Sequence, residues 1–333
     1  MMKSLIFISI LLPFKVFAVV NSEAVTWDNN DNIVMLSGNN TYCSGTIIGS
    51  SKVLTAAHCF QTNKINTVSS VNGNSVINSF VSNPNYVYNG EYSFDVSVVY
   101  TDDKFTTKNI SFISPTENPN NEVIELYGFG GNEEIGKASL RIKSNNLDLI
   151  HADLVTDAYS IGGDSGGAWI NNNGDLIAVH RGGILDISNE GDKTYKTYAT
   201  NLFYSKDFIL ENINGWHYPT VVDVQGEKST VTVQSLHTTA IFDSAFTTGD
   251  LNIITSESSC LDGVIEPFEK CTYVVKGGSG EIFLSDKERI TFVSDDNSNP
   301  NIDNTGNDSS SGGGVGLGLL FSTSLILLRR RAK

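Results

Sequence analysis

The chain contains 333 residues, of which 22 are Lys or Arg and 37 are Asp or Glu, giving a formal net charge of −15. This balance argues against a nucleic-acid-binding protein, because such proteins present basic surfaces to phosphates. With 40% hydrophobic residues and 30 glycines, the chain can bury a core, and its length suits two domains.

Residues 1–18 have the pattern of a secretory signal peptide. Lys3 precedes an apolar run at residues 5–12, and Val16 and Ala18 occupy positions −3 and −1 of the expected cleavage site. A buried helix or an uncleaved anchor is the alternative, but the run is too short to cross a bilayer. We therefore expect export, with signal peptidase as a processing partner.

Four cysteines in an exported chain predict two disulfides. Three pairings are possible, and the spacings Cys43/Cys59 and Cys260/Cys271 favour two local loops. The absence of Cys-x-x-Cys spacing argues against zinc. We expect neither a metal nor another cofactor.

Short apolar runs separated by Asn, Gly, Ser and Asp clusters extend from residue 33 to about residue 199, which is typical of an all-β region. The predicted strands are residues 33–36, 46–48, 53–55, 96–100, 123–127, 168–170 and 176–179. One helical pattern follows at residues 204–213, with Asn214 and Gly215 as its stop signal. We expect this helix to end a domain.

Residues 219–293 predict a second, smaller β-domain built as a sandwich. Its predicted strands are residues 220–224, 229–233, 240–242, 271–275, 281–284 and 290–293. Residues 294–311 are polar and predict a flexible linker.

The tail, residues 312–333, is apolar and rich in glycine up to residue 328 and then basic at Arg329, Arg330 and Arg331. A helix over the apolar part would reach only about 25 Å, against a hydrocarbon core of about 30 Å. The sequence thus predicts a marginal membrane span whose basic end stays in the cytoplasm.

Two segments carry chemistry: residues 54–59, LTAAHC, and residues 162–167, GGDSGG. They resemble the T-A-A-H-C and G-D-S-G-G motifs of trypsin/chymotrypsin-like serine proteases, and residues 94–98 between them are similar to the D-I-A-L segment of that family. The resemblance implies that His58, Asp95 and Ser165 form a catalytic triad. Its order along the chain is the one that this fold uses.

Further matches extend the resemblance over residues 19–213. Residues 42–48, YCSGTII, are similar to the family's F-C-G-G-S-L-I; residues 127–130, YGFG, to its G-W-G turn; and residues 198–200, YAT, to its Y-T-K. The implied fold is all-β: a chymotrypsin-like double six-stranded β-barrel with a C-terminal helix, occupying residues 19–217, followed by an immunoglobulin-like sandwich. The resemblance also pairs Cys43 with Cys59 beside the histidine.

The resemblance assigns a role to each residue of the site. Asp95 is preferred over the nearby acids Glu91 and Asp102 as the partner of the histidine. The backbone N–H groups of Gly163 and Ser165 would form the oxyanion hole.

An activation ion pair is also implied. Cleavage after Ala18 would expose Val19, and in this family the new N-terminal ammonium pairs with the Asp before the nucleophile, here Asp164. Signal peptidase itself would then generate the active enzyme.

The specificity pocket is less defined. Tyr159 stands six residues before Ser165, where trypsin carries a carboxylate at the floor of its pocket. The sequence therefore does not support cleavage after Arg or Lys through such a carboxylate. Residues 179–183, VHRGG, resemble the I-H-W-G-G segment of bacterial glutamyl endopeptidases, which suggests an acidic residue before the scissile bond. The residues assigned to the pocket are Tyr159, Ser160, His180, Gly182 and Lys196.

Residues 309–331 resemble the glycine-glycine sorting tail of secreted proteins of Gram-negative bacteria. That resemblance implies cleavage by a rhomboid-type protease and display at the cell surface or release from it. A plain single-pass anchor is the alternative. Such tails also accompany secreted serine proteases with an immunoglobulin-like second domain.

The favoured function is a secreted or surface-displayed serine endopeptidase that acts on proteins or peptides. A catalytically inert protease-like binding protein or adhesin is the alternative, although an inert descendant has no need to keep the whole triad. A third possibility is a surface scaffold that works through its second domain.

Overall fold

A computed structural model describes residues 19–62, 64–88, 94–187 and 193–294. The expected signal peptide, the tail and all but the first residue of the linker lie outside these ranges. Within the ranges, no helix has the length and apolar character needed to cross a membrane. The all-β prediction is confirmed, because short strands dominate and the described chain has a single α-helix.

Six antiparallel strands close into the first barrel. A short strand, β1 (Glu23–Ala24), precedes it. The barrel strands are β2 (Ile33–Gly38), β3 (Thr41–Ile48), β4 (Lys52–Thr55), β5 (Thr67–Ser70), β6 (Gly73–Ser82) and β7 (Ser97–Thr101). They follow the order β2–β3–β4–β7–β6–β5, and β5 returns to pair with β2. Apolar side chains such as Val34, Ile47 and Val98 are buried in its interior.

The second barrel repeats this plan. Its strands are β8 (Val123–Gly128), β9 (Gly136–Asn146), β10 (Leu149–Leu154), β11 (Ala168–Ile170), β12 (Leu176–Ile187) and β13 (Lys193–Asn201). Pairing runs β9–β10–β13–β12–β11–β8, and β8 pairs again with β9, while β1 adds to the outer side of β9. The two closed six-stranded barrels confirm the predicted chymotrypsin-like architecture.

One helix, α1 (Lys206–Ile213), follows the barrels. It begins two residues later than predicted, because Tyr204 lies in a preceding 3-10 turn at Leu202–Ser205. It ends at Ile213 and is capped by Asn214, whose φ of 39° lies in the left-handed region that terminates helices. The apolar face of the helix is buried against the barrels.

Small sheets form the remainder of the described chain. The strands are β14 (Gly215–His217), β15 (Val221–Asp223), β16 (Lys228–Leu236), β17 (Ile241–Phe242), β18 (Phe246–Gly249), β19 (Asn252–Ile253), β20 (Val264–Ile265), β21 (Lys270–Lys276), β22 (Gly280–Phe283) and β23 (Arg289–Val293). One four-stranded sheet has the order β14–β16–β21–β19 and the other β15–β23–β22–β18, while β17 pairs with β20.

Buried polar groups connect these sheets to the barrels. His217 accepts a hydrogen bond at Nδ1 from the Gly49 N–H at 3.1 Å and donates from Nε2 to the Ser111 carbonyl at 3.0 Å. The Gln234 side chain accepts from the Ile113 N–H at 2.9 Å and donates to the carbonyl of the same residue at 2.8 Å. These bonds satisfy polar groups that would otherwise be costly to bury.

Candidate active site

The imidazole of His58 contacts a buried carboxylate. His58 lies in the 3-10 turn Ala57–Phe60, directly after β4. Its backbone N–H donates to Asp95 Oδ1 at 2.8 Å, and its Nδ1 lies 2.6 Å from Asp95 Oδ2. The Asp95 side chain is 2% exposed, whereas that of His58 is 26% exposed. A carboxylate at Nδ1 favours the tautomer protonated there, which leaves Nε2 able to accept a proton.

A second carboxylate supports the loop that carries Asp95. Phe94 has a positive φ of 43°, and its N–H donates to Asp148 Oδ2 at 2.7 Å. Asp148 is buried between β9 and β10 of the other barrel, so this bond joins the barrels next to Asp95. Of the alternative acids, Asp102 is exposed after β7 and Glu91 lies outside the described residues.

Ser165 lies in a glycine-rich loop that packs on the segment before His58. The Ser165 carbonyl accepts a hydrogen bond from the Ser44 N–H at 2.7 Å. At Gly166, with a φ of 86°, a Cβ would lie 2.1 Å from Thr55 Oγ1, so only glycine permits this approach. Since Thr55 is three residues before His58, the fold brings the loop and the histidine turn together.

The same loop presents two backbone donors. Gly163 has a φ of 107°, and a Cβ there would lie 2.1 Å from the Gly131 nitrogen. In the described part of the chain, neither the Gly163 N–H nor the Ser165 N–H donates a hydrogen bond. Ser44 Oγ donates to the Gly163 carbonyl at 2.9 Å and accepts from the Phe129 N–H at 3.0 Å. Two available N–H groups beside a serine are suited to stabilising an oxyanion.

Both predicted disulfides are present: Cys43 bonds to Cys59, and Cys260 bonds to Cys271. The first joins β3 to the turn that carries His58. Closing a loop of this size stabilises a fold by about 3 kcal/mol on the chain-entropy estimate. The histidine turn is therefore covalently attached to the barrel.

Val19 and Asp164 are both fully buried. The chain next to Val19 is fixed by two backbone hydrogen bonds between Val20 and Tyr159, at 3.0 and 3.1 Å. The Asp164 carboxylate accepts from the N–H groups of Gly130 at 2.7 Å and Ile161 at 2.8 Å.

Burial raises the pKa of Asp164 to about 7, although these two hydrogen bonds oppose the rise. Among the described residues, no cation forms an ion pair with this carboxylate. The buried carboxylate thus lacks a positive partner in this part of the chain.

The residues assigned to the specificity pocket have different surroundings. His180 is 1% exposed, and its Nδ1 accepts from Trp169 Nε1 at 3.3 Å. Burial, reinforced by the nearby His58, lowers the pKa of His180 to about 3, so the ring is neutral near pH 7. Gly182 pairs with Tyr198 in the β12–β13 ladder, and Lys196 of β13 lies opposite Asp153 of β10.

Tyr195, which the sequence did not single out, joins the two remaining pocket residues. Its hydroxyl donates to the Ser160 carbonyl, and Ser160 Oγ lies 3.4 Å from the same hydroxyl. The rings of Tyr159 and Tyr195 have centroids 5.1 Å apart. This side chain therefore contacts two of the residues assigned to the pocket.

Sequence reasoning also missed Ser44 and Asp148. For Ser44 a signal existed, because it replaces the first glycine of the quoted F-C-G-G motif. For Asp148 and Tyr195 no local signal existed, since their partners are 54 and 35 residues away along the chain.

Two closed six-stranded barrels with this strand order define the fold class of chymotrypsin-like serine proteases. The family model for trypsin matches residues 20–209. The chain belongs to the trypsin family of serine proteases.

Several solved structures are similar to this chain. The Vibrio cholerae VesB protease has 15% identity and a TM-score of 0.44, with 83% of this chain and 99% of that chain covered. The secreted serine protease VesC from Vibrio cholerae has 17% identity and a TM-score of 0.45, with 82% and 71% covered. Neuropsin, a serine protease of mouse brain, has 17% identity and a TM-score of 0.48, with 58% and 98% covered. No curated protein sequence matches the chain.

Proposed function

We propose that this protein is an exported serine endopeptidase in which Ser165 is the nucleophile, His58 the general base and Asp95 the residue that orients and stabilises the imidazole. The observation that carries the proposal is the double contact between His58 and Asp95, beside a loop that presents Ser165 and two available N–H groups. A serine hydroxyl needs such a base, because it is too weakly acidic to attack an amide unaided.

The reaction follows from the roles of these groups. His58 Nε2 accepts the Ser165 hydroxyl proton as Oγ attacks the scissile carbonyl, and Asp95 stabilises the imidazolium. The N–H groups of Gly163 and Ser165 donate to the oxyanion of the tetrahedral intermediate. The amine then leaves with the proton from His58, and water releases the acyl group from Ser165 by the same steps.

Active-site labelling tests this proposal. A fluorophosphonate probe should label the folded secreted protein and fail to label the Ser165→Ala variant or heat-unfolded protein. Peptidase activity should fall by at least about four orders of magnitude in Ser165→Ala. Folded protein that the probe does not label would favour the inert binding protein instead.

We also propose that cleavage after Ala18 activates the enzyme. The observations in support are the buried Val19, the bonds between Val20 and Tyr159, and the buried Asp164 carboxylate, whose neutralisation by an ammonium would offset its desolvation.

Defined N-termini test the activation step. Protein that begins at Val19 should be active, whereas protein with several residues added before Val19 should lose at least about 100-fold in kcat/KM, since an unpaired buried charge costs about 3 to 5 kcal/mol. Asp164→Asn in the protein that begins at Val19 should show a comparable loss. Full activity of the extended protein would contradict this route.

The remaining proposals concern organisation and location. Residues 19–217 would form the catalytic domain and residues 219–293 a second domain, with a linker and a sorting tail after them. The tail would be cut by a rhomboid-type protease or would remain as a membrane anchor, placing the enzyme at the surface or outside a Gram-negative cell. The intact mass of the exported protein tests both ends at once, because a start at Val19 and an end near residue 312 give a distinct mass.

A further inference from the structure

The residue before the scissile bond would lie beside Ser165, between two segments that adjoin the nucleophile loop. One is the chain from Tyr159 to Ile161, which leads to Ser165, and the other is β12, whose His180 carbonyl accepts a hydrogen bond from the Gly166 N–H at 2.7 Å. A substrate side chain must enter between these segments. What already occupies this space therefore limits the side chains that fit.

The Tyr195 side chain, on β13, contacts both of these segments. In the β12–β13 ladder it lies opposite Leu185, diagonal to the pair formed by Gly183 and Thr197. Its ring lies against Gly183, where a Cβ would be 2.4 Å from Tyr195 Cε1. Its hydroxyl meets Ser160 on the other segment. The side chain thus links the two segments.

Two features keep the ring in this position. The hydroxyl contacts both the carbonyl and the Oγ of Ser160, whose side chain is 2% exposed. The Tyr159 ring packs beside it at an interplanar angle of 46°. Because Gly183 has no side chain, the ring can approach the backbone of β12 directly.

Little in the structure supports the recognition of a charged substrate side chain at this position. Tyr159 stands where a carboxylate would select Arg or Lys, and no described carboxylate contacts the Tyr195 ring. The His180 imidazole is buried against Trp169, and Lys196 faces Asp153 across the neighbouring ladder. At Tyr195 an acidic or basic side chain would therefore meet an aromatic ring rather than an opposite charge.

We infer that Tyr195 closes the floor of the specificity pocket, and that the enzyme cleaves after small, uncharged residues such as Ala, Ser and Gly. This inference rests on the proposed peptidase function. The ring would leave room for a methyl or hydroxymethyl group and would exclude larger side chains. Tyr195 is then a specificity-determining residue.

The test uses the protein as it is secreted and four chromogenic peptide amides that differ only in the residue before the scissile bond: Ala, Phe, Arg or Glu. Wild-type kcat/KM should be at least tenfold higher for Ala than for each of the other three. Tyr195→Phe, which keeps the ring and loses the hydroxyl, should keep this order. Tyr195→Ala should raise kcat/KM for Phe at least tenfold, because the pocket gains the volume of the ring.

Tyr204→Ala is the matched control, because Tyr204 is partly exposed in the 3-10 turn outside the pocket, and it should retain the preference for Ala. Labelling of each variant by the fluorophosphonate probe reports an assembled site independently of this preference. Absence of labelling would count against the proposed function. Labelled wild type that prefers Phe, Arg or Glu, or a labelled Tyr195→Ala variant with unchanged preference, would overturn the inference about Tyr195.

Discussion

At the scale of single residues, Ser44 has an unusual number of contacts around the nucleophile. Its N–H, Oγ and carbonyl contact Ser165, Gly163, Phe129 and Thr55. The hydroxyl fixes the peptide plane between the two candidate oxyanion donors. Ser44 thus holds the nucleophile loop partly through a hydroxyl that the family's glycine lacks.

Replacing Ser44 by Ala should lower kcat by about tenfold with little change in KM, because misaligned oxyanion donors weaken transition-state binding selectively. Ser44→Thr, which keeps the hydroxyl, should restore most of the rate. Ser70→Ala is a suitable control, because Ser70 Oγ makes a similar bond to the Gly73 carbonyl in β5, away from the site. A loss of stability with unchanged kcat in Ser44→Ala would assign it a structural role only. Steady-state kinetics and urea unfolding separate the two results.

Asp164 gives a prediction about pH. Its pKa is near 3.8 when unfolded and about 7 when buried, so in protein extended before Val19 the unfolded state binds fewer protons between these values. The free energy of unfolding should then fall as pH rises from 4 to 7, by on the order of 2 to 4 kcal/mol. Asp164→Asn should remove this dependence, and so should a free Val19 ammonium. Urea unfolding at several pH values measures the free energy of unfolding. A value that does not change with pH in the extended protein would contradict the raised pKa of Asp164.

At the scale of elements, β14 is attached to the first barrel through His217. This imidazole must be neutral, because Nδ1 accepts the Gly49 N–H, and burial lowers its pKa from 6.5 to about 4. Stability should therefore be lost as pH falls from 6.5 to 4, by up to about 3 kcal/mol. His217→Asn should reduce this dependence of stability on pH more than His237→Asn does, because the ring of His237 is less buried. Equal slopes in wild type and His217→Asn would refute the assignment, and chemical unfolding at pH 4.5 and 7 provides the comparison.

Comparison of the predicted with the observed strands and helix shows how much of the fold the sequence could predict. Apolar runs located β4, β8 and β11 closely, and Asn214 marked the end of α1 correctly. The pattern failed at β6 and β9, where Asn, Ser, Gly and Lys on the exposed face interrupt the apolar residues, although Ala138, Leu140 and Ile142 of β9 alternate into the core. Cysteine spacing predicted both disulfides and motifs singled out His58 and Ser165, whereas the Tyr195 and Ser44 contacts depend on how distant strands pair.

At the scale of the whole molecule, two residues of the C-terminal part pack into the core of the barrels, while most buried apolar residues of the C-terminal sheets form a cluster of their own. Leu236 and Phe268 pack in the same apolar cluster as Ile47 of the first barrel, Val179 of the second and Ile209 of α1. We therefore expect these parts to unfold together.

Leu236→Ala should destabilise the protein by about 2 to 5 kcal/mol while calorimetry still records one transition. Loss of fluorophosphonate labelling should coincide with loss of secondary structure on heating. Phe242→Ala is the control, because Phe242 is 74% exposed and should change stability little. Two separate transitions in Leu236→Ala would show that the C-terminal sheets fold independently.

The Cys43–Cys59 bond, described above as a covalent attachment of the histidine turn, also gives the enzyme a dependence on its compartment. In the reducing cytoplasm this bond does not persist, so a chain that folded before export would hold His58 on an untethered turn. Under the proposed removal of residues 1–18, its N-terminus would also still be extended before Val19. On these proposals, export supplies both the disulfide and the free Val19, so the peptidase would become active only outside the cytoplasm.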